Sequence, residues 1–237
     1  MRYLGLVLLF ILLQGCEEPV SSLDYFPLND GLEWEYRVTE SFAGDSKVRP
    51  YSVSNQGKVD VKGEFSASQV YLRRTSDGTD YFILSDETGR YRIAKRTLVE
   101  LRPRFDDQPR MIMSYGEQLS IGESWQVETR SYSVKGISSH SLPDPAAKTF
   151  NLAYEITATD ETVRVPAGVF NNCVKVEAKG VLEIYADPRL GFQEIQVRQT
   201  EWYAPGVGLI KLIREEPMDL ELFKGGSVSF ELISFSD

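Results

Sequence analysis

Glu161-Thr162-Val163-Arg164-Val165, then Pro166-Ala167-Gly168, then Phe170-Asn171-Asn172-Cys173-Val174-Lys175-Val176-Glu177-Ala178-Lys179-Gly180-Val181-Leu182-Glu183-Ile184, is the stretch whose reading decides the fold. Apolar side chains recur at every second place, the period of a strand with one face in a core. Pro166-Ala167-Gly168 reads as a turn, so the two arms predict a long hairpin. In the second arm Val174, Val176, Ala178, Leu182 and Ile184 share a face, and Gly180 stands where a long strand can bend.

The same grammar extends in both directions. Upstream, Phe150, Leu152, Tyr154, Ile156 and Ala158 share one face. Downstream, Gln193 to Trp202, the turn Ala204-Pro205-Gly206-Val207-Gly208, and Leu209 to Arg214 predict another pair. Lys224-Gly225-Gly226 precedes a last strand, Val228 to Phe235. Near the start, Tyr25-Phe26-Pro27-Leu28 tucks apolar side chains under the body before the turn Asn29-Asp30-Gly31. Strand one then points Trp34, Tyr36 and Val38 one way and Glu33, Glu35, Arg37 and Thr39 the other. Ser52 to Phe65 reads as one or two strands broken near Asn55-Gln56-Gly57. Gln69 to Arg74 and Asp80 to Leu84 flank Ser76-Asp77-Gly78-Thr79, a hairpin turn in which Asp-Gly tolerates positive φ. After the turn Asp86 to Gly89, strands are expected at Arg90 to Ala94 and Leu98 to Arg102, then a polar loop from Pro103 to Pro109. Met111 to Met113 and Trp125 to Val134 continue the pattern, with Gly116 and Gly122 between them. Gly136 to Lys148 is the longest irregular stretch. No segment carries apolar residues at helical spacing over three turns.

The expected fold class is therefore all-β: a single antiparallel sheet of about a dozen strands. A twisted sheet of more than about ten strands curls, splits or closes, so a half-barrel, a barrel or a two-layer stack is predicted.

The first sixteen residues carry an address. Arg2 is a minimal positive region and Leu4 to Leu13 an apolar run of signal-peptide length, well short of the about 20 residues that span a bilayer. Leu13-Gln14-Gly15-Cys16 resembles the lipobox of bacterial lipoproteins. That resemblance implies cleavage before Cys16, lipidation of its thiol and acylation of the new amino terminus. Glu17 replaces the aspartate that tends to retain such proteins in the inner membrane, so the resemblance points to the outer membrane of a Gram-negative bacterium, facing the periplasm. The expected organisation is a cleaved signal peptide over 1–15, a lipidated cysteine and polar tether over 16–24, and one β domain over 25–237.

A second resemblance lies in the body. Val165-Pro166-Ala167-Gly168-Val169-Phe170-Asn171-Asn172-Cys173-Val174-Lys175-Val176 and Glu201-Trp202-Tyr203-Ala204-Pro205-Gly206-Val207-Gly208-Leu209-Ile210-Lys211 resemble a hairpin pair of uncharacterised bacterial lipoproteins. The opening Tyr25-Phe26-Pro27-Leu28, Gly31, Trp34 and Tyr36 is similar to their start. This implies a β-rich periplasmic body and no established activity. In overall character the chain also resembles the curled sheets of lipoprotein-sorting carriers, though it lacks the pattern of the helices that those hold over the concave face.

Composition narrows the function classes. With Arg2 removed, twenty-five Lys and Arg face thirty-five Asp and Glu, a formal charge of −10 over about 220 residues. Such a surface repels phosphate backbones, and nucleic acid is excluded as a partner. If Cys16 is consumed by lipid, Cys173 has no partner for a disulfide. With His140 as the single histidine, a His/Cys zinc site is not expected.

Other chemistry is weak. Cys173 is placed on the face of Lys175 and Glu177, where it reads as filler at a hairpin mouth rather than a reactive thiol. His140 stands among Ser138, Ser139, Ser141 and Asp144 in the irregular stretch, with no rigid support for a triad, and Gly-x-Ser-x-Gly is absent. The carboxylate pairs Glu33/Glu35, Asp106/Asp107, Glu215/Glu216 and Asp219/Glu221 are those that arise freely on solvated strands. Gly206-Val207-Gly208 is a turn and not a dinucleotide cradle. The one basic stretch, Arg90 to Arg110, holds Arg90, Arg92, Lys95, Arg96, Arg102, Arg104 and Arg110 and reads as a polar outer face. Trp34, Trp125, Trp202 and Tyr203 read as core. The expectation is a non-enzyme with no catalytic, metal or cofactor-binding residue: a lipid-anchored binding or interaction module whose membrane partner is reached through acyl chains on Cys16. Its other partner is an unidentified envelope protein. The alternative is a carrier for a hydrophobic ligand held in the concavity of the curled sheet.

Overall fold

Alternation becomes strand wherever a run of it lasts. The structure, a computed structural model, describes residues 24–62, 65, 68–114, 119–136, 148–221 and 223–236. The strands are β1 (Glu33–Phe42), β2 (Asp45–Lys58), β3 (Gln69–Thr75), β4 (Asp80–Ser85), β5 (Gly89–Arg96), β6 (Arg104–Ser114), β7 (Ser124–Arg130), β8 (Lys135–Gly136), β9 (Thr149–Val165), β10 (Gly168–Asp187), β11 (Gly191–Ala204), β12 (Gly208–Asp219) and β13 (Phe223–Ser236). No helix occurs among the described residues. Every pairing is antiparallel and the strands make one sheet, in the order β6-β5-β4-β3-β2-β1-β13-β12-β11-β10-β9-β7 with β8 attached to β13.

The path curls until its ends nearly meet. No ladder joins β6 to β7 among the described residues. Instead the Arg110 guanidinium of β6 donates to the Glu128 carbonyl of β7 at 2.5 Å and lies 3.6 Å from its carboxylate. The sheet is thus a barrel open along one seam.

Its inner face follows from register. Trp34, Tyr36 and Val38 pair with Val53, Tyr51 and Arg49 on β2 and with Phe235, Leu232 and Phe230 on β13. Their neighbours Glu33, Glu35 and Arg37 stay exposed, as the alternation predicts. The N-terminal segment plugs one end: Phe26 and Leu28 pack with Ile83, Met113, Ile156, Val174, Val176 and Tyr203, drawn from five strands. Asn55 and Arg73 both donate to the Pro27 carbonyl, at 3.1 and 2.8 Å, and Gly206 N–H donates to Asp24 at 2.8 Å. At the other end residues 131–136 leave β7, cross toward β13 and place Val134 over Leu152, Leu182, Val197 and Phe223.

Several sequence expectations change. Leu98 to Arg102 is a turn at the tip of the β5–β6 hairpin rather than a strand, with Leu98, Val99 and Leu101 more than four-fifths exposed. The polar segment 104–109 is strand, because cross-strand pairs such as Lys95–Arg104 and Arg92–Arg110 zip it to β5 in spite of its charge. Tyr132 to Val134 lie outside β7. β2 begins at Asp45 and is shifted in register rather than broken between Asn55 and Lys58, while Val59, Val61 and Phe65 cover the outer face of β3 to β5. Gly180 serves close approach: a Cβ there would lie 2.4 Å from the Asn151 carbonyl oxygen of β9.

Candidate functional site

Two of the barrel's inward positions hold ions. Arg214 and Glu216, on β12, are 1% and 0% exposed and pair at 2.7 Å. The Glu216 carboxylate also accepts from the Ser131 hydroxyl at 2.5 Å and from the backbone N–H groups of Tyr132, Ser133 and Val134 at 3.0, 2.8 and 3.3 Å. Successive N–H groups thus form an anion-binding nest around it, which is why the crossing segment sits where it does. Burial alone would raise the Glu216 carboxyl, but Arg214 and these donors prevail and hold it below the ordinary range. Arg214 also donates to the Gln199 side-chain amide oxygen at 3.1 Å and to the Arg130 backbone carbonyl at 2.8 Å, its guanidinium 3.9 Å from the Tyr132 ring centre. Gln199 in turn donates to Tyr154 and Glu201, and the Tyr203 hydroxyl donates to Glu201 at 2.5 Å. Glu201 is raised, by burial above all, against the pull of Tyr203, Gln199 and Arg214. This chain of partners spans four strands, and its carboxylates have little access to solvent. Its chemistry is structural.

Among the described residues the end opposite the plug has a different lining. At this mouth Lys95 of β5 pairs in register with Tyr81 of β4, Arg49 and Tyr51 of β2 share the inner parity with Val38 and Tyr36, and Arg92 and the Tyr51, Tyr81 and Tyr132 phenols lie in one another's fields. The Tyr81 hydroxyl lies in the field of Tyr51, Tyr132, Arg92 and Asp77, and burial raises it first of all. Arg92 stands 5.9 Å from the Tyr81 ring centre and holds Asp106 through two bonds of 2.8 and 2.9 Å. Arg49 pairs with Glu40 at 3.0 Å, Arg104 with Glu100 at 3.2 Å, and Arg110 with Asp106 at 3.0 Å. Lys95 has no carboxylate at ion-pair distance among the described residues. It sits directly opposite Tyr81 on β4 and Arg104 on β6. Burial lowers its ammonium first, and the Arg104 and Arg92 charges lower it further against the pull of Asp106 and Glu100. Nearer the plug, Arg73 is sandwiched between Phe26 and Trp34 at 4.0 and 4.6 Å, and burial pushes it down to about 10.

Cys16 and His140, and with them the lipidation site and the serine-rich loop, lie outside the described residues. Cys173 does not share the face of Lys175 and Glu177. The β9–β10 register shifts on both sides of it, so Cys173 and Val174 are both buried, and the thiol packs with Val163, Val165, Ala204 and Ile210. Burial pushes that thiol up, as expected of filler. The carboxylate pairs do not converge. Glu33 and Glu35 are exposed, Asp106 is held by Arg92, Glu216 is sealed while Glu215 is exposed, and Asp219 and Glu221 pair with Lys224 and Arg189. The basic stretch is not a uniform outer face. Arg92 and Lys95 point into the mouth, while Arg96 joins Asp80 and Arg74 on the other side. Trp34 and Tyr203 are core, and Trp125 stacks on Tyr154 at 5.5 Å. Sequence reading gave no role to Gln199, Glu201, Arg214 and Glu216, the last weighed only as a solvated carboxylate, or to Tyr51, Tyr81, Lys95 and Tyr132, of which Lys95 was weighed only as part of a polar outer face. For the first four the signal was present, since each occupies the inward parity of its strand.

No protein-family model matches the chain. No curated protein matches it. Among solved structures it is similar to an inferred lipoprotein of Parabacteroides distasonis ATCC 8503, with 14% identity and a TM-score of 0.46 over 90% of this chain and 98% of that one. It is also similar to an inferred exported protein with a YmcC-like fold from Bacteroides fragilis NCTC 9343, with 13% identity and a TM-score of 0.41 over the same shares of each chain.

Proposed function

We propose that this chain is a non-catalytic envelope lipoprotein, tethered through acyl chains on Cys16 in the outer membrane and binding its partner in the periplasm through the open end of the barrel. The observation that carries this reading is the polarity of the molecule. The tether enters at Asp24, where Phe26 and Leu28 fill the barrel. The far rim instead exposes Leu98, Val99 and Leu101 by more than four-fifths, where Val169 on the turn at the plugged end is 46% exposed. Exposed aliphatic side chains gathered at one end mark an interaction surface. A hydrophobic ligand deep in the concavity is the weaker alternative, because the plug takes one part of that space and the Arg214–Glu216 chain crosses another.

Two measurements test the reading. Cys16→Ser is expected to release the protein from membranes or leave it unprocessed, and unchanged detergent partitioning would sink the tether. A photo-crosslinking residue at Leu98 is expected to give discrete adducts in the envelope, whereas one at Val169, on the turn at the plugged end, gives none. Equal yields from the two sites would remove the polarity on which the proposal stands.

A further inference from the structure

We infer that the tip of the β5–β6 hairpin docks on lipid: Leu98, Val99 and Leu101 enter the interface of an anionic bilayer while the arginines behind them meet its phosphates. The inference rests on this end being the binding face and names what it meets there. Three observations carry it. First, these are the three most exposed large apolar side chains among the described residues, and they stand together on one turn. The turn is held by its own bonds. Glu100 N–H donates to the Thr97 carbonyl at 3.0 Å, and the Thr97 N–H and hydroxyl donate to the Glu100 carboxylate at 2.8 and 2.9 Å. Glu100 also pairs with Arg104 at 3.2 Å, so the one carboxylate of the tip is turned back into the hairpin and neutralised. Second, the hairpin is basic in an acidic chain. Arg90 to Arg110 holds seven cations and three carboxylates, where the whole chain has a formal charge of −9. Two acids here are shared by two arginines each, Asp80 by Arg74 and Arg96 and Asp106 by Arg92 and Arg110, and Arg102 beside Leu101 is exposed. Aliphatic side chains ahead of a basic surface are the makeup of segments that lie in a bilayer interface, and anionic lipid attracts each such cation. Third, no aromatic residue stands between Thr97 and Arg102. Protein interfaces are anchored chiefly by Trp, Tyr and Arg, with Leu and Val under-represented, so a lipid surface suits this tip better than a protein pocket.

The bilayer that holds the proposed anchor is within reach of the tip. β5 begins beside Asp24, whose carboxylate lies 3.6 Å from Arg90, and its eight residues carry the chain roughly 25 Å to the turn. Residues 17–24 span at most about 29 Å fully extended. A body lying with β5 along the membrane therefore brings tether entry and tip to the same surface. The acyl chains hold the tip near that surface, so this second contact needs little affinity of its own, and two attachments fix an orientation that one does not.

A nitrobenzoxadiazole dye on Val99→Cys, in the full-length processed protein reconstituted into vesicles, tests this. Cys173 is buried and Cys16 is acylated in the proposed form, so the dye goes to the tip. In phosphatidylglycerol vesicles its emission is expected to rise several-fold and to be quenched by a nitroxide on the lipid acyl chains. The same dye on Lys179→Cys, at an exposed position of β10, should stay in water. In phosphatidylcholine vesicles the rise at Val99→Cys should be several-fold smaller. Leu98→Ser combined with Leu101→Ser, both at exposed positions that bear no core contact, should abolish the quenching and leave the melting temperature unchanged. Equal quenching at the two dye sites, or an equal rise in the two lipids, overturns the inference. If Leu98 crosslinks to a protein while the dye at the tip stays in water, the lipid surface falls and the binding face stands; if neither signal forms, both fall.

Discussion

Glu201 and Glu216 occupy the same kind of place, an inward position on neighbouring strands, and titrate in opposite senses. Glu216 is held below its ordinary value, so its contribution is present above about pH 4.5 and is lost as pH falls through the lower folded value. Glu201 is held above it. Between about pH 4.5 and its folded value the unfolded chain has released the proton that the folded chain keeps, so stability falls as pH rises through that window. Glu201→Gln is therefore expected to unfold at higher urea than the parent at pH 7 and to flatten this part of the pH profile. A profile identical to the parent's would mean that Glu201 is ionised in the fold. Glu216→Ala should behave differently. It strands a buried guanidinium and four donors of the crossing segment, and is expected to cost about 3–5 kcal/mol in chemical denaturation. Neither role is legible from residue type, because Glu215 and Glu216 are adjacent and chemically alike. Only the parity of β12 sends one to solvent and the other to Arg214.

Elements were legible where alternation is long. β1, the β3–β4 hairpin, and the arms from β9 to β13 follow directly from apolar residues at every second place, because a buried inner face demands them. Where the inner face is itself polar, that signal fails. Segment 104–109 carries Arg, Asp and Gln and still forms β6, since its partners on β5 are the charges of the mouth. Conversely Leu98-Val99-Glu100-Leu101 has the apolar content of a strand, but Thr97 turns the chain there by accepting Glu100 N–H at 3.0 Å and donating to its carboxylate. The end proposed for binding was hidden for the same reason: its residues look like a solvated face until the sheet curls. Glycine can be tested at this scale as well. A Cβ on Gly225 would lie 1.9 Å from the Glu216 carbonyl oxygen, so Gly225→Ala must push β13 away from β12. A loss of about 1–3 kcal/mol is expected, with faster amide exchange confined to residues 216–228.

For the whole molecule the seam sets the limit on closure. Among the described residues β6 and β7 share no ladder where every other neighbouring pair has one, and Arg110 bridges them to the Glu128 carbonyl and its half-exposed carboxylate. Such a pair is worth about 1 kcal/mol or less. Arg110→Ala is accordingly expected to leave the melting temperature within a few degrees while hydrogen exchange along β7 accelerates; a large drop in melting temperature would show the seam to be a structural closure. Open edges invite pairing with other chains, and the charges on β6 guard against it.

The plug has a mechanical consequence. Any pull transmitted through the residue before Asp24 loads the short run to Leu28 first, and that run is held crosswise by Arg73, Asn55, Arg90 and Gly206 instead of being zipped along a strand. Bonds loaded together in shear resist more force than bonds opened in succession. Traction from that side therefore meets a clamp at the barrel floor before any strand begins to peel.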